Sequence, residues 1–240
     1  MTPTLSSVKR QANVTACQSN LKQWGLFFSI YADNNNGYLP AASSEWPGAL
    51  RQANNAGNSS NLLFCPLATR LEIEGGRPPF AAFTTEFVFW PPFTDLQGPY
   101  FGSYGINGWV CNPSPEVTTN SFGLPTSNNW RTVNVKSAGK VPLLLDSLWI
   151  DSYPEATNSP PPSDGYQYLW MIPAESTDKQ MCVFCMNRHD GFINGVLGDF
   201  SVRKIGLKEL WKLNWHRKFD TNAPTPQWPD WMKKFKNYHE

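Results

Sequence analysis

The first 33 residues limit the possible folds more than any other part of the chain, because they can form one long helix. Thr2 can cap such a helix, Pro3 lies in the first turn where no N–H donor is needed, and the next proline is Pro40. Apolar residues recur every three or four positions and so share one helix face. This apolar stripe consists of Val14, Cys17, Leu21, Trp24, Phe28 and Tyr31. We therefore predict a helix over residues 3–33 that buries the stripe in the protein core.

The two ends of the predicted helix have different expected surroundings. At about 1.5 Å per residue the helix would be roughly 45 Å long, which exceeds the width of a small domain. Leu5 and Val8 lie off the apolar stripe, so the first two turns are expected to project beyond the globular part. At the other end, the DNNNG sequence of residues 33–37 predicts a helix stop, because Asn and Gly accept the left-handed conformation. An EF-hand calcium loop is rejected here, since Tyr38 stands where that loop needs Gly.

The rest of the chain predicts short strands joined by long loops. Weak edge-strand candidates are residues 87–90, 103–106 and 132–135, and stronger strand candidates are residues 141–145, 181–185, 192–197 and 200–205. The last two strands flank Gly198 and Asp199 and predict a hairpin. Helical spacing returns at 207–215. The predicted fold class is α+β, with a long N-terminal helix packed on an antiparallel sheet. We divide the chain into a helical stem (1–36), a globular head (37–206) and a C-terminal segment (207–240).

Charge is distributed unevenly, although the whole chain has a net charge of only +1. Residues 203–240 contain nine Lys or Arg and four Asp or Glu, so this segment is basic. Its Trp and Lys residues alternate, a pattern that can bind single-stranded nucleic acid through stacking and phosphate contacts. Three prolines between 224 and 229 rigidify the segment. We favour a structural strap over a nucleic-acid partner, with Trp228 and Trp231 largely buried against the body.

Several strings resemble one family of proteins. ACQSNLKQWG at 16–25 and YADNNNGYLP at 31–40 are similar to the stem and stem exit of type II secretion pseudopilins and type IV pilin-like proteins of the kind abundant in planctomycetes. Further matching strings are FCP at 64–66, YGINGW at 104–109 and VPLLLD at 141–146. His189 precedes Asp199 by the family's His-x9-Asp spacing. The family usually continues with Gly, whereas Phe200 stands in this chain.

The resemblance implies a pilin-like structural subunit that is not an enzyme. Its N-terminal helix would pack into a filament core, its partners would be other pilin-like subunits, and its head would be displayed outside the cell. In the family a membrane helix precedes the position of Pro3 and anchors the subunit in the inner membrane before assembly. That helix is missing here, so Met1 is expected to be a truncated start. No apolar run approaches the roughly 18 residues that span a bilayer, and the chain as given is expected to be soluble.

Three polar residues form the best candidate set for a metal site. These are His189, Asp199 and Asp146, the last at the end of an apolar strand. A carboxylate beside an imidazole suits zinc or another transition ion, whereas calcium would use carboxylates and carbonyls and leave the imidazole out. The resemblance points to calcium, since some pseudopilins bind it. The alternative is that His189 and Asp199 hydrogen-bond across the hairpin, and we favour it; no other cofactor is expected.

Five cysteines leave an odd one, which fits neither a dense disulfide scaffold nor a double Cys-x-x-Cys zinc site. Cys182 and Cys185 would face opposite sides of a strand and are expected to remain unlinked. Cys17 and Cys65 both fall in strings shared with the pilin-like family. The resemblance therefore implies a possible disulfide that would clamp the first loop to the stem.

Two other functions remain open. Aromatic side chains on the surface could bind glycans, with candidates Trp46, Trp90, Trp130 and Trp149. A secreted carbohydrate-active enzyme could use Asp146, Asp151, His189 and Asp199, because a glycosidase carboxylate pair leaves no sequence motif. The chain has no Gly-x-Ser-x-Gly elbow, phosphate-binding loop or His-Glu-x-x-His motif. A structural role is therefore favoured.

Overall fold

The computed structural model describes residues 5–44, 46–53, 62–85, 100–166 and 177–238. The helices are α1 (Leu5–Asn34), α2 (Trp46–Ala53) and α3 (Asp230–Lys233). The strands are β1 (Arg70–Leu71), β2 (Ala81–Thr84), β3 (Phe101–Gly102), β4 (Tyr104–Asn107), β5 (Pro142–Asp146), β6 (Asp151–Ser152), β7 (Phe192–Leu197) and β8 (Val202–Gly206). The fold class is α+β, with one long N-terminal helix and two mixed sheets.

Helix α1 forms as the apolar stripe predicts. Its buried positions are Val14, Cys17, Leu21, Trp24, Gly25, Phe28 and Ala32, while Tyr31 at the end of the predicted stripe is half-buried. The predicted stop is also confirmed, because Asn36 and Gly37 both have positive φ angles. The N–H of Gly37 donates to the carbonyl of Ala32 at 2.7 Å, which closes the last turn.

The larger sheet has five strands in the order β6-β4-β5-β7-β8. The pairs β4–β5, β5–β7 and β7–β8 are antiparallel, as predicted, but β6 joins the edge parallel to β4. The smaller sheet has the order β1-β2-β3, with β1 parallel and β3 antiparallel to β2. A purely antiparallel prediction is therefore wrong at two short edge strands. These strands have only two residues each, too few to show a pattern in the sequence.

Most of the predicted strands appear at or near their expected positions. Strands β5 and β7 are confirmed, and β7 forms the predicted hairpin with β8. The candidate at 103–106 starts one residue later. The strand predicted at 181–185 is wrong, because Gln180–Val183 form a buried 3-10 turn, and a short apolar run does not distinguish a strand from a buried turn. The candidate at 132–135 contributes only an isolated bridge from Thr132 to Tyr38. The candidate at 87–90 lies outside the described residues.

Both faces of the five-stranded sheet are buried. Along β5 and β7, Leu144 and Val196 pack in the core under α1, and Leu145 and Ile193 pack in the core on the other face. This alternation follows from the two-residue period of a strand. The second core is covered by the C-terminal segment, which includes a 3-10 helix over Leu207–Lys212. The sheet is thus the middle of three layers.

Helix α1 crosses the β7–β8 hairpin at a very short distance. A Cβ atom on Gly25 would lie 3.2 Å from the carbonyl oxygen of Phe200 and 3.3 Å from Cγ1 of Val196. Phe200 has a φ of 62°, so it adopts the left-handed turn for which the pilin-like family uses Gly. This explains why β8 begins at Val202 and not at residue 200.

The C-terminal segment packs on the body, as the strap prediction requires. Trp215 and Met232 are fully buried in the second core. Trp228 and Trp231 are half-buried and not largely buried as predicted. Trp228 meets Trp211 edge-to-face at 5.2 Å, and the indole N–H of Trp231 donates to the carbonyl of Pro161 at 2.9 Å. These rings hold the segment in place.

Candidate functional site

The first two turns of α1 are exposed, although they border a groove against the head and do not extend clear of it. Every side chain from residue 5 to residue 12 is exposed, and Leu5 and Val8 are 86% and 52% accessible to solvent. An ion pair joins Arg10 of this segment to Asp190 of the head at 3.4 Å, and both side chains are mostly exposed. The buried stripe begins only at Val14. One end of a continuous helix thus presents apolar side chains that the head does not cover.

A groove of about 360 Å³ lies between this end of α1 and the head. Its walls include Arg10 and Val14 from α1, Phe192 from β7 and Lys204 from β8, and it reaches His189. The groove therefore borders the residue that contributes the imidazole of the buried cluster described next.

A buried polar cluster lies directly beneath α1. Its members come from distant parts of the chain: Cys17 from α1, Cys65 from the segment after α2, Asp146 from the end of β5, and His189 from the turn before β7. Each residue offers one atom that can bind a metal ion, and these four atoms lie within 4.8 Å of one another. All four residues are buried. The cluster exists because a strand end and a turn meet under the helix stripe.

Short contacts join the members of this cluster. Nε2 of His189 lies 3.1 Å from Oδ2 of Asp146 and 3.4 Å from Sγ of Cys65. Sγ of Cys17 lies 3.5 Å from Oδ1 and 3.7 Å from Oδ2 of Asp146. The Tyr104 hydroxyl donates to Sγ of Cys17 at 3.4 Å.

Arg188 contacts the cluster through the Asp146 carboxylate. It is 2% exposed, and its Nη1 lies 3.2 Å from Oδ1 of Asp146. Its remaining hydrogen bonds go to four backbone carbonyls, those of Pro79, Ala81, Ser103 and Ser147. Because every one of these partners is fixed in the backbone, the guanidinium group fixes the Asp146 carboxylate in turn.

The charges in this buried site shift its pKa values strongly. Burial by itself would raise the pKa of Asp146, but His189 and then Arg188 lower it to about 2. Burial would lower the pKa of His189, yet Asp146 raises it to about 9. For Cys65, burial raises the pKa while hydrogen bonds from Cys17 and His189 lower it, and the result is about 7. Burial raises the pKa of Cys17. The site thus favours a carboxylate, an imidazolium and one partly ionised thiol.

The structure brings together only two of the three predicted metal ligands. Asp199 lies in the β7–β8 turn, is exposed, and accepts hydrogen bonds from the N–H and hydroxyl of Ser201 at 3.0 and 2.6 Å. Its inclusion was wrong, and so was a hydrogen bond between His189 and Asp199. Sequence reasoning missed Cys17, Cys65 and Arg188 as neighbours of Asp146. Helix periodicity predicted that Cys17 is buried, but no pattern in the sequence predicted its contact with Asp146 at the end of β5.

All five cysteines are thiols in the structure. Cys17 and Cys65 are close neighbours in the cluster, so the partner suggested by the resemblance is spatially correct, although no disulfide joins them. Cys182 and Cys185 are unlinked, as predicted, but they lie in or beside a 3-10 turn and not in a strand.

The residues of the alternative functions do not converge on one site. Trp46 is fully buried, Trp130 and Trp149 are half-buried, and Trp90 lies outside the described residues. Asp151 accepts a hydrogen bond from Ser43, and burial raises the pKa of Asp151 to about 6. In the described part of the chain, neither Asp151 nor Asp199 belongs to the ligand-type cluster around Asp146.

Among the described residues, no helix combines the length and the apolar character needed to cross a membrane. Comparisons of the chain with protein-family models, with curated proteins and with solved structures found no significant match.

Proposed function

We propose that this chain is a pilin-like structural subunit of a secretion- or pilus-type filament displayed outside the cell. The observation that carries the proposal is the exposed end of α1, where Leu5 and Val8 project from a helix whose other turns are embedded. Its partners are other pilin-like subunits, and it performs no chemistry. The resemblance of the stem sequence to pilin-like proteins supports inner-membrane anchoring before assembly.

Burial of this helix end against a neighbour would be favourable. Removing a Leu or Val side chain from water contributes roughly 1.5–3 kcal/mol when burial is complete. The end is continuous with the embedded turns of α1, so little conformational entropy would be lost when a neighbour binds it. A preformed helix is therefore a better docking element than a flexible tail of the same composition.

The charge of the chain also favours contacts between copies of it. Helix α1 carries Lys9, Arg10 and Lys22 and has no acidic residue before Asp33. The head, residues 37–206, by contrast contains ten Lys or Arg and fourteen Asp or Glu. A basic stem end and an acidic head attract each other and select the arrangement in which the stem of one subunit meets the head of the next.

Cross-linking in the cells that naturally make the protein tests the proposal. A Leu5→Cys variant places the one exposed thiol at the stem end, because the native cysteines are buried. A bifunctional maleimide applied to material sheared from the cell surface should produce dimers and higher oligomers. Gln23→Cys is the matched control, since it is exposed on the same helix but beside the head.

Two results would contradict the proposal. One is recovery of the chain only as a monomer, with no pool in sheared surface material. The other is equal cross-linking of the Leu5→Cys and Gln23→Cys variants, which would show contacts without a specific role for the helix end.

A further inference from the structure

Assembly through the end of α1 makes no use of the buried cluster beneath the helix. Four ligand-type side chains converge there, although burial of polar and ionisable groups opposes folding unless they are paired. We propose that Cys17, Cys65, Asp146 and His189 bind one zinc ion. This site is independent of filament assembly and differs from the predicted metal set by the two thiols and the absence of Asp199.

The distances among the four donors fit a tetrahedral zinc site. With Zn–S of about 2.3 Å and Zn–N or Zn–O of about 2.0–2.2 Å, donors on a zinc tetrahedron are roughly 3.3–3.8 Å apart. His189 Nε2 lies 3.1 Å from Asp146 Oδ2 and 3.4 Å from Cys65 Sγ. Cys17 Sγ lies 3.7 Å from the same Asp146 oxygen. The four donor atoms all lie within 4.8 Å of one another, so side-chain movements that shorten the longer separations would complete the coordination.

The donor types select zinc over calcium, and the charges of the site balance a divalent ion. Two thiolates and the Asp146 carboxylate carry three negative charges, while a divalent ion and Arg188 carry three positive charges, with neutral His189 as the fourth ligand. The loaded site is therefore neutral, which suits a buried location. Calcium prefers oxygen ligands throughout, so the calcium suggested by the family resemblance does not fit two sulfurs and an imidazole.

Neighbouring residues already orient two of these donor atoms, Sγ of Cys17 and Oδ2 of Asp146. The Tyr104 hydroxyl donates to Sγ of Cys17 at 3.4 Å. The Asn194 N–H donates to Oδ2 of Asp146 at 2.8 Å, and Arg188 holds Oδ1 at 3.2 Å. Such outer contacts fix the ligands and raise metal affinity.

Titration of the protein with Co²⁺ tests this site, because Co²⁺ replaces zinc and gives a thiolate-to-cobalt charge-transfer band. The protein is purified under reducing conditions, stripped with a chelator, and checked for free thiols in denaturant. We expect saturation at one ion per chain and loss of the band when Zn²⁺ is added. Substitutions Cys17→Ser and Cys65→Ser should weaken binding by more than the roughly 10–100-fold typical for loss of an outer contact.

Cys111→Ala is the matched control, because Cys111 is a buried thiol outside the cluster and its loss should leave the Co²⁺ titration unchanged. The measurement on the unaltered chain remains decisive if a variant fails to fold. A fully reduced, folded chain that gives no thiolate band with Co²⁺ would overturn the proposal. So would an unchanged band in the Cys17→Ser/Cys65→Ser double variant, or isolation of metal-free protein from its native cells with Cys17 and Cys65 joined as a disulfide.

Discussion

The two ends of α1 share one continuous helix but differ completely in what stabilises them. From Val14 to Ala32 the helix is anchored by side chains of zero to two per cent exposure, whereas residues 5–12 are exposed throughout. The exposed turns have no capping acidic residue, so they depend on the helix already formed behind them. Burial, and not helix propensity, therefore separates the anchored part from the part offered to a neighbour. Four measurements test this contrast between the two ends of the helix.

Trp24→Ala should cause the largest loss, roughly 3–5 kcal/mol of unfolding free energy. The ring is 1% exposed, lies 5.0 Å from the ring of Trp46, and donates to the carbonyl of Leu62 at 2.8 Å. Chemical denaturation measures the loss. Leu26→Ala is the control on the exposed face of the same turns, since Leu26 is 57% exposed. A loss below about 1 kcal/mol for Trp24→Ala would show that this half of α1 is not the anchor.

Acid should lower the free energy of unfolding through Asp146, which lies beneath the buried part of α1. Its folded pKa of about 2 lies below the ordinary 3.8, so its stabilisation is present above about pH 4 and is lost as the pH falls towards 2. The difference corresponds to about 2 kcal/mol. Denaturation at several pH values measures it, and Asp146→Asn should be less stable and lack this acid slope. An unchanged slope in the variant would assign the acid sensitivity to other carboxylates.

Gly25→Ala should destabilise the protein by ~1 kcal/mol, the net of a gain in helix propensity and a larger steric cost. The added methyl would meet the carbonyl oxygen of Phe200 at 3.2 Å, and that backbone is held in a turn by the bond from Phe200 N–H to Leu197 at 2.8 Å. Thermal unfolding compares it with Ser6→Ala at the exposed end. If Gly25→Ala stabilised the protein, the β7–β8 hairpin would have moved away from the added methyl group. Helix α1 would then pack less closely on the hairpin than the structure shows.

The smallest effect on stability is expected for Leu5→Glu combined with Val8→Glu. Both side chains are exposed, so the free energy of unfolding should change by less than about 0.5 kcal/mol. Recovery of the chain in sheared surface filaments, compared with unaltered protein, should nevertheless fall strongly. If the variant were as stable as the unaltered protein and were recovered in filaments at the same level, the end of α1 would not be a docking element.

The sequence predicted the elements with regular spacing and failed where partners are distant in the chain. The period of the apolar stripe was sufficient to predict α1, and short runs of strand-forming residues were sufficient to predict β5 and β7. The apolar run at 181–185 misled, because a buried 3-10 turn has the same composition as a short strand. The His189–Asp146 pair was included in a candidate site, but Cys65 and Arg188 were not. Their positions depend on how two sheets meet, and no local pattern encodes this.

Arg188 has a consequence for the order in which the chain folds. Its carbonyl partners Pro79 and Ala81 lie 109 and 107 residues away in sequence. Contacts with such separations require long loops to close first, and folds rich in them form slowly. We expect the guanidinium group to reach its final place only after both sheets have met. Its interactions would then act mainly on the rate of unfolding and little on the rate of folding. Arg188 therefore slows unfolding of a head that has already folded.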